Sequence, residues 1–196
     1  MKYELVKTDT KQLAGKTLYR IKALIAIGFS VAAGDLGGYI EAEKNLSQLG
    51  NAWVYGDARV YGNARVYGNA RVSGNARVYG NSQVYGNARV YGNARVYGNS
   101  QVYGNSQVSG NARVYGNARV QKSSDHLQIG PAKSSGRFTT AFVDGKIGVR
   151  VACGCFTGSL LEFSRQIEKT HADNKEHFEQ YRLFCQLIAF NFGVKA

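Results

Sequence analysis

The sequence predicts a mainly β fold: a left-handed parallel β-helix of about four to five coils, with an N-terminal capping β segment and a small C-terminal α+β domain. Three observations lead there. Between Asn51 and Val120 one hexapeptide, Asn/Asp-Ala/Ser-Arg/Gln-Val-Tyr/Ser-Gly, is written twelve times. A six-residue period fits neither an amphipathic helix nor a coiled coil, whereas three hexads make one triangular coil of 18 residues. On either side the period stops, and the chain changes to short alternating stretches and then to two stretches of helical pattern.

Within the repeat, valine returns at 54, 60, 66, 72, 78, 84, 90, 96, 102, 108, 114 and 120. Each valine is expected to point into the prism. The Ala or Ser two places before it points inward as well, because strand side chains alternate. Gly and Asn meet at each corner, where positive φ is best tolerated. Arg or Gln before each valine, and Tyr or Ser after it, then face outward.

Counting in steps of 18 sorts the outward residues into columns. One face carries Arg59, Arg77, Arg95 and Arg113 beside Tyr61, Tyr79, Tyr97 and Tyr115. A second mixes Arg65, Gln83, Gln101 and Arg119 with Tyr67, Tyr85, Tyr103 and Gln121. The third is irregular: Trp53, Arg71, Arg89 and Gln107 beside Tyr55, Ser73, Tyr91 and Ser109. Coils stack about 4.8 Å apart, so four guanidiniums in one column repel, and Asp57 is the one carboxylate in the repeat. Two readings stand side by side. Either tyrosine rings shield the arginines on a solvated or subunit-packing face, or the column is an anion- and ligand-binding surface. The candidate binding residues are the four arginines and four tyrosines of the first face.

The formal net charge is +12, and eight arginines against Asp57 put most of it on the repeat. A basic surface favours nucleic acid, nucleotides, anionic glycans or an acidic protein as partner, and argues against a DNA mimic. Three cysteines and no leader-like segment lead to the expectation of a reducing cytoplasm. The longest apolar run, Ala23 to Ala33, is too short to span a membrane and contains Gly28, so no membrane partner is expected.

The flanks divide the chain into 1–44, a β cap; 45–122, the β-helix; and 123–196, the α+β domain. Residues 2–7 and 17–27 are expected as strands, with Asp9 to Gly15 as a polar turn. The cap hides the open edge of the first coil. In the tail, 127–130, 137–143 and 146–152 are expected as strands, with Asp144-Gly145 as a hairpin turn. Ser159-Leu160-Leu161-Glu162 is a capping box opening a helix to about His171. Asp173 with Glu176 opens a second helix, which Gly193 ends. Its stripe of Phe178, Tyr181, Phe184, Cys185, Ile188 and Phe192 is a core face or an oligomer contact.

With the aliphatic residue, corner Asn and small inward residue in phase, the repeat resembles the hexapeptide-repeat (left-handed β-helix) superfamily. The superfamily's Gly directly after the aliphatic residue stands one place later here, with Tyr in its position. A longer run resembles the opening of hexapeptide-repeat proteins common in bacteriophages and prophages: Leu18-Tyr19-Arg20-Ile21, Gly34-Asp35-Leu36-Gly37-Gly38-Tyr39-Ile40-Glu41, then Asn51-Ala52-Trp53-Val54. The superfamily resemblance implies acyltransferases with a His base near the solenoid wall and loops projecting from the coils. It also implies a carbonic-anhydrase type with three His ligands. The repeat here has no His and no insertion; His126, His171 and His177 all lie outside it. His171, His177 and Cys153 or Cys155 are residue types that bind zinc, but Cys153-Gly154-Cys155 is too short for a zinc knuckle. Surface histidines and a turn are the expected explanation. Gly154 and Gly158, beside a helix start, are a further anion-holding turn to test.

Together these features lead to the expectation of a non-enzymatic, phage-encoded binding protein in the host cytoplasm, without cofactor, metal or catalytic residues. It would sequester a nucleotide signal or block a host factor through its Arg/Tyr face or an oligomer interface. The resemblance implies a homo-oligomer, trimer before dimer. The alternatives are a structural or assembly protein that uses the solenoid as a packing face, and an acyltransferase-like enzyme.

Overall fold

The structure is a computed structural model and describes residues 1–133 and 135–195. The repeat folds as twelve two-residue strands, β4–β15, from Trp53–Val54 to Arg119–Val120. They stack in parallel with strict register: Arg59 on Arg77 on Arg95 on Arg113, and Val60 on Val78 on Val96 on Val114. The other two faces stack in the same way. Amides bond to the carbonyls of the next coil, as in Arg59 N to Ala76 O at 2.9 Å and Tyr61 N to Val78 O at 3.0 Å.

Inside, all twelve valines are fully buried, with the Ala and Ser residues between them. The interior serines keep their hydroxyls satisfied locally; Ser100 Oγ donates to Tyr97 O at 2.8 Å. The corners explain the Asn-Gly pair. Gly98 sits at φ +72, and a Cβ there would lie 2.9 Å from Gly116 N, so neither backbone angle nor space admits a side chain. The Asn beside each Gly bonds to the Asn one coil on, for example Asn81 Nδ2 to Asn99 Oδ1 at 3.1 Å, making amide ladders along the edges.

Ahead of the repeat, β1 (Tyr3–Leu13) and β2 (Lys16–Ala23) form an antiparallel hairpin, and β3 (Leu36–Ile40) joins it. Strand β3 then pairs in parallel with the Arg59 strand, so the cap and the Arg column share one seven-stranded sheet. Ile40 and Leu46 pair with Val60 and Val66 and line an irregular first coil. The solenoid therefore has about five coils. Trp53 stacks in register with Arg71 yet is buried, because the cap covers it and Tyr3 meets it edge-on at 6.1 Å.

Two local expectations fail in the cap: the strand expected over 17–27 ends at Ala23, and the expected turn is largely strand. Asp9 to Gly15 is not a polar turn: β1 continues to Leu13 through a bulge between Val6 and Thr10, and the turn is Ala14-Gly15, at φ 52 and 72. The polar residues belong to the outward side of a strand that ion pairs hold flat. Asp9 accepts from Arg20 Nε at 2.6 Å and from the Tyr39 hydroxyl at 3.0 Å, and Lys11 pairs with Asp57.

After the repeat, β16 (His126–Ile129), β17 (Thr139–Asp144), β18 (Gly148–Cys153) and β19 (Phe156–Ser159) make an antiparallel sheet in chain order. Strand β19 is an addition to the expected elements; the Cys153-Gly154-Cys155 turn folds it back on β18. Helix α1 (Leu160–Thr170) has the expected capping box, with Ser159 N donating to Glu162 Oε2 at 2.7 Å. Helix α2 (Lys175–Phe192) is capped by Asn174 rather than Asp173, and Gly193 closes it at φ 64. Tyr181, Cys185 and Ile188 pack against α1 and the sheet, so the aromatic stripe is core. The domain plugs the solenoid. Phe142 is fully buried under the last coil and meets Tyr115 edge-on at 5.6 Å. Buried Asp144 accepts from Arg150 Nε at 2.8 Å. Burial alone would raise its carboxyl, but the Arg150 and Lys146 bonds outweigh that and hold it below the usual range.

Because the prism interior has no partner for a charge, Val96→Asp should destabilise by at least about 3 kcal/mol. Its neighbour Arg95→Gln faces outward and should stay within about 0.5 kcal/mol of wild type. Urea unfolding of both variants checks this; a Val96→Asp protein as stable as wild type would contradict the inward register.

Candidate anion-binding face and cleft

Register alone positions the first-face candidates. The Tyr61, Tyr79, Tyr97 and Tyr115 rings stack at 5.0, 4.9 and 5.0 Å, nearly parallel. Arg59 and Arg77 beside them are half-buried, Arg95 and Arg113 exposed. Asp57 is engaged by Lys11, and that contact chiefly keeps its carboxyl below the usual range. Among the described residues no carboxylate lies within ion-pair distance of Arg77, Arg95 or Arg113, and the Arg59 Nε is buried without a hydrogen-bond partner.

The second face shows why this matters. There the Tyr67 hydroxyl donates to Gln83 Oε1 at 2.9 Å, and Tyr85 reaches Gln101 Oε1 at 3.5 Å. On the first face the same register puts Arg77, Arg95 and Arg113 opposite Tyr61, Tyr79 and Tyr97. A guanidinium has five donors and no acceptor, so the hydroxyl protons cannot be taken up in that way. Tyr61 and Tyr97 have phenol pKa values raised, first by burial and then by neighbouring tyrosines, so they remain neutral donors at physiological pH. The face therefore carries a surplus of donors and positive charge.

The stack also limits what the face can hold. Rings at this separation already occupy each other's faces. Inserting a base would need roughly a further 3.4 Å between coils, which the main-chain bonds forbid. Tyrosines here can offer edges and hydroxyls, not a slot between rings.

At its C-terminal end the face runs into a cleft of about 350 Å³ under the α+β domain. Tyr97, Arg113 and Tyr115 form one wall, and Arg137, Thr140 and Gly154 the other. The structure thus brings the last ladder rungs together with one of the two glycines singled out from sequence. Gly158 does not line it; a Cβ there would meet Glu162 and Phe156 instead, at 2.7 and 2.9 Å. Arg137 is the residue that sequence reasoning missed. No spacing marks it, because only the tertiary docking of the domain sets it across from Arg113.

The YdcK beta solenoid repeat family model matches at residues 52–68, 58–72, 70–86, 82–98, 88–104, 106–121 and 112–124. The chain is a β-solenoid repeat protein. The matches lie on the coils and leave the cap and most of the C-terminal domain uncovered. No curated protein matches the chain. The remaining chemical candidates lie outside the solenoid wall. His171 and His177 meet edge-to-face at 5.7 Å at the α1–α2 junction, and Cys153 and Cys155 flank the β18–β19 turn. Among the described residues no group of three or more His, Cys, Asp or Glu side chains is arranged to hold a metal ion. Among them, too, no helix is long and apolar enough to cross a membrane.

Proposed function

We propose that this protein is a non-enzymatic binder of anions, and that single-stranded nucleic acid lies along the Arg59–Arg113 column. The single observation that carries this reading is the donor-surplus column held in register on one face, with no carboxylate paired to Arg77, Arg95 or Arg113 among the described residues, beside a second face whose tyrosines reach glutamine acceptors. Phosphate oxygens supply the acceptors that the column lacks. The resemblance of the opening segment to phage and prophage hexapeptide-repeat proteins supports a purpose: sequestering a nucleic-acid or nucleotide signal, or blocking a host factor, in the host cytoplasm.

The test is titration of single-stranded DNA with wild type and with Arg77→Gln/Arg95→Gln at two salt concentrations. Gln occupies the equivalent outward position at 83, 101 and 107, so the double variant should fold normally. Binding should weaken by roughly 1–3 kcal/mol for each arginine–phosphate bond removed, and wild-type affinity should fall steeply with salt. Equal binding by the two proteins would remove the column from the site, and an absence of binding would leave it a packing face.

A second reading, assembly, is favoured by a different observation. With the aromatic stripe of α2 used inside the domain, its outer side exposes Leu183, Leu187 and Phe190, at i, i+4 and i+7, and Val194 is exposed just past the Gly193 cap. That spacing is a seam for another helix, and a second copy supplies an identical one. Light scattering should give an oligomer at micromolar concentration, with Leu187→Glu/Phe190→Glu reverting to monomer. A wild-type monomer contradicts the assembly reading and leaves the anion face standing.

A further inference from the structure

Two concave compartments meet at Arg137. The cleft beside Arg113 is one. The other, about 610 Å³, is a groove open to solvent on the C-terminal domain between α1, α2 and the β18–β19 turn. Arg137, Cys155 and Phe156 line both, so the two compartments adjoin with a guanidinium at the partition. Arg137 lies close against the bare backbone of the turn. Gly154 is at φ +61, and a Cβ there would come 2.6 Å from Arg137 Nη1.

The linings differ in kind. The open groove has an aromatic floor: Phe156 against Phe163 at 5.2 Å, Phe163 edge-on to Tyr181 at 6.1 Å, and His171 stacked on Tyr181 at 5.1 Å. Gln166, Thr170 and His177 bring an amide, a hydroxyl and an imidazole to it. The cleft is polar and holds the two arginines. Among the described residues no carboxylate lines either compartment. A concave, mostly apolar groove with a few polar groups and a volume in this range is what small-ligand sites present. An arginine pair at its mouth adds bidentate recognition of phosphate.

We propose that the two compartments form one site for a mononucleotide, its base in the aromatic groove and its phosphate on Arg137 and Arg113 in the cleft. The division of labour follows from the ladder. The stacked tyrosines of the first face leave no slot for a base, and an aromatic groove with space opens beyond its last rung. The phosphate end rests on the reading of Arg113 as part of an anion-binding column; the base end does not depend on it.

Calorimetric titration with the 5′-monophosphates of adenosine, guanosine, cytidine and uridine, and with inorganic phosphate, tests this. At least one mononucleotide should bind more tightly than phosphate. Arg137→Gln should weaken it about tenfold. Thr157→Trp, at an exposed position that lines the aromatic groove alone, should block it while leaving single-stranded DNA binding unchanged. Thermal melts confirm that each variant folds, and Arg137→Gln carries the test if Thr157→Trp does not. Absence of mononucleotide binding at millimolar concentration overturns the site without touching the column. Mononucleotide binding that survives both cavity variants and is abolished in Arg77→Gln/Arg95→Gln also overturns it, and assigns the nucleotide to the column instead.

Discussion

The hydrogen bond from each coil's amide to the next coil's carbonyl is the constraint on which the rest of this molecule depends. It sets a repeat near 4.9 Å along the axis, visible in the tyrosine stacks. The corner glycines from Gly62 to Gly98 hold the chain to that repeat, because a Cβ there would come within 2.9 to 3.3 Å of the next coil's backbone. Once register is locked, side chains have no freedom to choose neighbours. Valine meets valine in the interior, asparagine meets asparagine at the corners, and arginine meets arginine on the first face. The first two columns stabilise the stack by burial and amide pairing. The third works against it, since like charges at this spacing repel. The column is tolerable because tyrosines flank the arginines and Arg95 and Arg113 are open to solvent, where repulsion is screened.

Much of this is legible in the sequence, for a physical reason. A solenoid is close to one-dimensional, so each contact lies a fixed number of residues away and counting replaces folding. The buried valines, the corner residues and all three outward columns follow from arithmetic on the chain. Where the chain leaves the repeat, that advantage ends. The polar stretch Asp9 to Gly15 reads as a turn, yet its charges meet Arg20, Tyr39 and Asp57, partners whose proximity depends on how the hairpin docks. Trp53 occupies an outward position and is nonetheless buried, because a separate segment lies over it. Arg137 carries no signal at all: its place opposite Arg113 is produced by Phe142 and Asp144 anchoring the domain beneath the last coil. The Gly154 turn stands out by its composition, while its role as the backing of a guanidinium requires the fold.

The two ends of the ladder are consequently unlike. At the cap, Arg59 is half-covered, and the nearby Asp57, Lys11 and Arg20 carry both signs of charge. Toward the C-terminal domain the arginines become exposed, and the groups that line the cleft there are neutral or positive. The positive charge of the column is therefore less offset at the cleft end than at the cap.

Arginine side-chain nitrogen spectra recorded through a titration with single-stranded DNA test the central claim most directly, because each guanidinium reports its own contacts without substitution. The account predicts that the Nε–H signals of Arg77, Arg95 and Arg113 shift together, while those of Arg71 and Arg89 on the third face stay near their free positions. Shifts spread evenly over all three faces would mean that only net charge attracts the ligand, and would contradict a built anion-binding column.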